Sequence, residues 1–572
     1  MQQPVVHFLA EDCVLFTFGT GMSDTAWQQV LNLQQQLEHQ PFPGFREAVP
    51  SYNSIAVFFH APQTPLTIVS TIEKQVDFTA TNQPVTPGTH HQLPVYYSPE
   101  TGPDLLSTAQ QLNLSHQQLA QQHSSQLYRV YVTGFLPGFP YMGTLPTELF
   151  TKRKEQPRLA VPAGSVAIAG EQTGIYPFES PGGWNLIGRT PVRLFQPEAD
   201  QPFLLKAGDT ICFQPITKEE FETTVAQQAP PQLLPEPEGE DILELLQCGF
   251  LTMLQDQGRN GFRQYGVPKA GSMDPLSAQL ANRLVGNDPG TPVLELTQSP
   301  HLFLIKKDTL VAFSGGGLQP EANGSELPLN QALLLKAGSV VECRKLLPGY
   351  RLYMSVGGGF SAHSFLNSCA TDLRMQVGGL QGRPLKKGDR LLQQQALSPL
   401  QQQLKGILEQ STLSLNVPAL PLSAHTIRVV EGPEWQKIDE ASQHSFWEQQ
   451  FTISPQSNRM GYRINSQQLA RYTGSELVSS PVAEGTVQLT PSGECIILMA
   501  DGQTIGGYPR ILQVIKADLP LLAQKKPGDQ IRLECISLQE AIRLQEQQEA
   551  ALQTLTDQIN ALYEGGSELR SR

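Results

Sequence analysis

Along most of the chain the apolar residues come in short runs closed by Gly, Pro or Asp. SVAIAG, LFLIKK, LVAFSG, ALLLKAG, RLYMSVGGG and CIILMADG are such runs, and each reads as a β-strand ending in a turn. One corner recurs four times, as KAGDTI (206–211), KAGSVV (336–341), KKGDRL (386–391) and KPGDQI (526–531). In each, Gly supplies a positive φ, the next Asp or Ser can hold a backbone N–H, and a strand starts. Four copies predict repeated β-barrel or sandwich units. Helical spacing is rarer. It appears in TAWQQVLNLQQQLEHQ (25–40), with Asp24 or Thr25 as N-cap, and in SHQQLAQQHSSQLYRV (115–130). It appears again in MDPLSAQLANRLVGN (273–287), with Asp274 as N-cap, Pro275 at the first helical position and Gly286 at the end. From Leu538, the positions Ile542, Leu544, Leu552, Leu555, Ile559 and Leu562 predict a C-terminal amphipathic helix. Such a helix packs against its own domain or against a sister copy of the chain, which leaves a homo-oligomer open.

The remaining composition narrows the class. A chain of 572 residues exceeds what one core organises, so about three to five domains are expected. The region to residue 90 alternates strands with a helix and reads as a small α+β domain. The Pro- and acid-rich stretch AQQAPPQLLPEPEGED (226–241) reads as a linker. Forty basic and 53 acidic residues give a net charge of −13, which disfavours nucleic acid or an anionic membrane as partner. No apolar run reaches the roughly 18–20 residues of a membrane helix. The start, MQQPVVHFLAEDCVLFTF, has no basic segment and carries Glu11 and Asp12 within its apolar stretch, so it does not read as a signal peptide. The seven cysteines are scattered and never form a CxxC pair, which predicts buried reduced thiols and a cytoplasmic location.

Several chemistries have no motif here. Gly-Lys never occurs, so there is no Walker loop. HExxH, GxSxG and any tight His/Cys/carboxylate cluster are missing, and no metal is expected. What does stand out is repetition. EQTGIYP (171–177) returns as QTIGGYP (503–509), and GRNGFRQ (258–264) returns as NRMGYRI (458–464). The second pair offers two arginines around a Gly and an aromatic ring, suited to a carboxylate fork or to a turn that pairs with surface carboxylates. Long loops dense in Gly, Pro and aromatic residues surround these repeats, and such loops cost backbone entropy unless they shape a pocket.

At these motifs the chain resembles a known family. Phe135-Leu-Pro-Gly-Phe-Pro-Tyr141, Val161-Pro-Ala-Gly-Ser-Val-Ala-Ile-Ala-Gly170, Gln172-Thr-Gly-Ile-Tyr-Pro177 and Ser180-Pro-Gly-Gly-Trp184 resemble the B subunit of bacterial 5-oxoprolinase. That protein is also described as allophanate hydrolase subunit 1 or a Kip-type kinase inhibitor. Gln255-Asp-Gln-Gly-Arg259, Gly271-Ser-Met-Asp274, Ser457-Asn-Arg-Met-Gly-Tyr-Arg463 and Asp501-Gly-Gln-Thr504 resemble the C subunit, of the allophanate hydrolase subunit 2 or biotin-dependent carboxyltransferase family. The two look fused. The resemblance implies a mainly β chain with α+β: a small α+β domain (1–90), a cyclophilin-like β-barrel (91–225), a linker (226–244), two further cyclophilin-like barrels (245–400 and 401–537) and the C-terminal helix and tail (538–572).

It also implies ATP-dependent opening of 5-oxo-L-proline to L-glutamate together with a separate A subunit, with ATP and its Mg handled through that partner. Such a site needs cations for carboxylate and phosphate, carboxylates for proton transfer and donors for an oxyanion. Arg259, Arg263, Arg459 and Arg463 are candidates for anion binding, and Asp256, Asp274, Glu171 and Asp501 for acid–base work. Gln172, Thr173, Gln503 and Thr504 are candidates for orienting substrate, with Tyr141, Tyr176 and Tyr508 as walls. Alternatively, Asp274 only caps its helix and the arginines pair with nearby carboxylates. Two other functions fit the resemblance. One is a carboxyltransferase like that of urea carboxylase, although the chain has no Met-Lys-Met biotin attachment segment. The other is a regulatory protein that inhibits a sensor kinase.

Overall fold

The computed structural model describes residues 3–60, 64–76, 78, 88–228, 237–298, 300–410, 422–466, 471–474 and 477–565. Part of the linker read from the sequence, 229–236, lies outside these, as does the tail from 566. The strand runs form as the pattern predicts. Val5–Ala10, Cys13–Thr17, Ser54–Phe59 and Phe45–Pro50 make a four-stranded antiparallel sheet in that order. The helix Asp24–His39 packs its apolar face on that sheet, with Ser23 and not Asp24 or Thr25 as N-cap. The serine side chain accepts from Ala26 N at 3.5 Å, which places the first helical residue one step earlier than the spacing suggests.

A seven-stranded sheet follows, with His90–Val95 and Asn185–Arg189 at its edges. It curls until a bridge between Tyr96 and Arg189 links the two edges. The segment read as one helix over 115–130 divides. Ser115 caps a helix His116–Ser124, and Leu127–Thr133 is a strand of the sheet. The β-branched and aromatic run LYRVYV wins there because its alternate residues, Tyr128, Val130 and Val132, are fully buried.

In the middle of the chain a six-stranded and a five-stranded sheet enclose one core containing Leu243, Phe303, Val311, Phe313 and Met354. Its first strand, Glu240–Gln247, begins inside the stretch read as linker. The last unit is a closed seven-stranded barrel. It closes by parallel pairing of Thr426–Glu431 with Gln530–Cys535. The curled sheet repeats that device, since His90–Val95 pairs parallel with Thr210–Pro215.

The recurring corner works as the residues dictate. Gly208, Gly338, Gly388 and Gly528 have φ of 96°, 85°, 91° and 91°. Asp209, Asp389 and Asp529 accept the backbone N–H of the lysine three residues earlier at 2.8–3.0 Å. The C-terminal helix runs from Leu538 to Gly565, and Ala541, Leu555 and Ile559 are buried on it. Among the described residues no helix is long and apolar enough to cross a membrane. All seven cysteines are unpaired; Cys13, Cys343 and Cys495 are buried, but Cys535 is exposed.

Two buried histidines make the fold sensitive to acid. His123 stacks on Phe213 at 4.8 Å and bridges Tyr97 Oη at 2.7 Å and Thr173 Oγ1 at 2.8 Å. Burial pushes its pKa down from 6.5 to about 3, and burial likewise lowers that of His301 from 6.5 to about 4. Both are neutral when folded, so below pH 6.5 the unfolded chain binds protons that the folded chain refuses. Stability is therefore complete above about pH 7 and falls with pH, by about 1.4 kcal/mol per pH unit for each histidine. The urea midpoint measured from pH 7.5 down to 4.5 is expected to drop steadily. A flat profile would contradict burial of both rings.

Candidate functional site

A cleft of about 1940 Å³ lies between the first half and the C-terminal barrel. The hairpin Ser165–Ala169/Gln172–Ile175 brings Glu171 and Gln172 to one wall, beside Tyr141 and the loop Thr151-Lys152-Arg153. The barrel supplies Gln503, Gly506, Tyr508, Arg471, Tyr472 and the turn at Asp439 and Ser442. The two copies of the Gln-Thr turn thus face one space from opposite halves.

The walls are held at a fixed separation. Ser51 Oγ donates to the Ser479 carbonyl, and Gln172 Nε2 donates to Tyr52 Oη. Lys516 N donates to Glu11 Oε1 at 2.7 Å, and the Lys516 ammonium pairs with Asp12. Under the floor, Trp27, Tyr131, Phe139, Tyr141, Tyr176 and Trp184 share a core with Ala483 and Ile505 of the barrel. Fixing both walls through a common apolar layer removes the entropic cost of assembling them for each ligand.

Lys152, Arg153 and Arg471 are exposed cations on this cleft, set against the carboxylates of Glu171 and Asp439. Arg153 lies over the Trp184 ring at 5.9 Å. Asp439 is occupied by Ser442, whose N–H and Oγ donate to it at 3.0 and 2.7 Å. Those bonds, together with the nearby Arg471, hold its carboxyl below the usual range. Burial pushes the Tyr141 phenol up, so Tyr141 acts as a neutral wall that also bonds Ser479. Glu171 is left as the exposed carboxylate of the first wall.

Five residues chosen from the sequence line the cleft: Glu171, Gln172, Tyr141, Gln503 and Tyr508. The others have their side chains elsewhere. Asp256 accepts from Gly258 N, Ser368 Oγ and Cys369 N at 2.6–2.7 Å and organises a loop. Asp274 is fully buried, caps its helix through Ser277 and accepts from Gln524 Nε2 at 2.8 Å. Arg263 pairs with Glu47 and stacks on Phe58 at 4.6 Å, joining the N-terminal domain to the middle unit. Arg259 is buried against Phe365 and donates to the Ala370 carbonyl.

Arg459 holds Glu295 at 2.7 Å and Asp501 at 2.8 Å across the boundary between the middle unit and the barrel. Asp501 is therefore consumed by an ion pair. Arg463 sits on the barrel strand Gly461–Asn465, outside the cleft lining. Thr173 and Thr504 are buried behind the turns. Tyr176 is buried under the first half, its phenol pushed up to about 12 by burial.

Lys152, Arg153, Asp439 and Arg471 escaped the sequence reading. The run Thr151-Lys-Arg-Lys154 just before the Gly-rich motif was a usable signal for the first two. Asp439 and Arg471 carry none, because only folding of the barrel brings them to the wall. Among the described residues no group of three His, Cys, Asp or Glu is placed to hold a metal ion.

Comparison with known proteins agrees with this division into halves. The family described as carboxyltransferase domain, subdomain C and D, matches residues 4–205. The family described as carboxyltransferase domain, subdomain A and B, matches residues 265–535. The chain is 37% identical over 314 residues to the C subunit of 5-oxoprolinase from Escherichia coli K12, covering 55% of this chain and 97% of that protein. It is 35% identical over 232 residues to the B subunit of 5-oxoprolinase from Bacillus subtilis 168, covering 38% of this chain and 94% of that protein. The crystal structure of a protein designated TTHA0988 superposes with a TM-score of 0.78 at 31% identity, over 93% of this chain and all of the other. This chain therefore belongs to the biotin-dependent carboxyltransferase family and joins two halves of the 5-oxoprolinase type, one like the B subunit and one like the C subunit, in one polypeptide.

Proposed function

We propose that the chain is the fused B and C component of an ATP-dependent 5-oxoprolinase, working with a separate A subunit to open 5-oxo-L-proline to L-glutamate. The observation that carries this reading is the cleft itself. Its two walls come from the two halves, each through a copy of the same Gln-Thr turn, so a complete site requires both. Relatives of each half are named as subunits of one enzyme.

The chemistry asks little of the cleft beyond charge and placement. A lactam carbonyl is a poor electrophile until its oxygen is phosphorylated. Water then adds to the carbon, the C–N bond breaks as nitrogen takes a proton, and a second water releases phosphate from the acyl group. Lys152, Arg153 and Arg471 bind the substrate carboxylate and the phosphate charge. Glu171 takes the proton from the attacking water. Gln172 and Gln503 orient the amide, between the walls formed by Tyr141 and Tyr508.

The test combines the purified chain with its A-subunit-like partner, ATP, Mg²⁺ and 5-oxoproline and measures glutamate. Glutamate formed at a rate dependent on the chain, on the partner and on ATP is expected. The family description favours one other reading, a carboxyltransferase that accepts CO₂ from biotin carried on another protein. No glutamate, together with biotin-dependent carboxylation of urea or a related amide, would replace the first reading with this one.

A further inference from the structure

Gln488 lies on the barrel strand Thr486–Leu489. Its neighbours Val487 and Leu489 belong to the barrel core, so by strand alternation its own side chain points outward, beneath the cleft wall. It is 2% exposed, and its amide has half of its bonding satisfied. Oε1 accepts from Gln503 Nε2 at 3.3 Å, whereas Nε2 is shut off from solvent without a partner. A buried N–H lacking an acceptor is destabilising, and a native fold that keeps one calls for a reason other than stability.

Gly506 is the second observation. It lines the cleft, and a side chain there would place its first carbon 2.5 Å from Gln488 Nε2 and 2.6 Å from Gln503 Nε2. Two amide nitrogens converge on one bare patch of wall, and they do so because residue 506 has no side chain. Thr504 beside them is also buried with an unpartnered hydroxyl.

We propose that Gln488 and Gln503, converging at Gly506, form a donor shelf that receives the carbonyl oxygen of a small amide or lactam. The proposal rests on reading the cleft as an amide site. Gln503, half-buried at the surface of the wall, meets the oxygen first. A turn of its side chain opens the way to Gln488 Nε2, which then gains the acceptor it lacks. Two N–H donors on one oxygen favour a carbonyl, more so as negative charge grows on it, and reject an analogue that has none. Gln488 is thereby a specificity-determining residue.

Calorimetric binding of 5-oxoproline, proline and urea to the full chain tests this, using wild type, Gly506→Ala and Gln488→Leu. The alanine leaves the backbone unstrained, since Gly506 is not among the positive-φ glycines, and its methyl group meets the ends of flexible side chains. Wild type is expected to bind 5-oxoproline at least about tenfold more tightly than proline. Both variants should bring that ratio close to one, with an unchanged unfolding midpoint for Gly506→Ala and an unchanged or higher one for Gln488→Leu. A ratio that survives both substitutions overturns the shelf and leaves the proposed enzyme standing. Binding of urea but not 5-oxoproline, lost in both variants, keeps the shelf and removes 5-oxoproline as the substrate. Failure of all three probes to bind overturns the shelf, and the glutamate assay then decides the function by itself.

Discussion

Arg459→Ala is expected to cost about 3–5 kcal/mol of stability, because it strands two carboxylates in the interior. Arg459 is 6% exposed, and every guanidinium nitrogen is engaged. Nη1 donates to Glu295 Oε1 at 2.7 Å, Nε and Nη2 to the two oxygens of Asp501 at 2.8 and 2.9 Å, and Nη2 also to the Gly271 carbonyl at 2.6 Å. Glu295 in turn accepts from Met273 N and Tyr353 Oη at 2.9 Å each. The arginine therefore ties three segments of the middle unit to the barrel loop at Asp501. Chemical denaturation of the purified variant should show a transition at markedly lower urea than wild type. Arg459→Lys should fall between the two, since it keeps the charge but loses the planar fork. A variant with wild-type stability and no turnover would move Arg459 from the scaffold into the chemistry.

The opposite pattern is expected for the cleft cations. Lys152, Arg153 and Arg471 are exposed, so substitution by alanine should change stability by only about 0.5 kcal/mol or less at each position. Each loses a charge-assisted contact to the bound anion, worth roughly 10- to 100-fold in kcat/KM. The triple variant should lose at least about two orders of magnitude, and the losses need not add because the three share one ligand. Steady-state kinetics of the assembled enzyme, with circular dichroism and an unfolding curve for each variant, measures both quantities. Kinetics unchanged in the triple variant would show that the anion is held outside this cleft.

The contrast between these two predictions marks where reading the residues alone misleads. Both copies of Arg-x-Gly-aromatic-Arg look like anion forks, because an arginine flanked by Gly and a ring carries the same chemistry in a site and in a scaffold. In the fold, Arg263 and Arg459 meet their carboxylates from distant segments, at Glu47 and at Glu295 with Asp501. Asp274 was legible both ways, as an acid or as a cap, and burial with Ser277 and Gln524 decides for the cap. The repeated Gln-Thr turn behaves differently. Its glutamines reach the cleft from both halves while its threonines, one residue on, are buried; in the first copy, on the strand Gln172–Ile175, this is the alternation of extended backbone.

By itself the sequence determined what depends on neighbours along the chain. The short apolar runs set the strands, the Gly-Asp and Gly-Ser corners set strand starts that repeat between units, Ser115 and Asp274 set helix starts, and the duplicated Gln-Thr turn marked the walls of the cleft. These are local choices of φ, ψ and hydrogen bonding, and a few residues suffice to make them. Tertiary structure alone decided which charges remain available to a ligand. An arginine becomes scaffold or site according to whether a carboxylate from a distant segment arrives beside it, and that depends on how the middle unit docks on the N-terminal domain and on the barrel. Folding of the barrel likewise carries Arg471 to the wall and leaves the Gln488 amide beneath Gly506, and no residue adjacent to either in sequence foretells it.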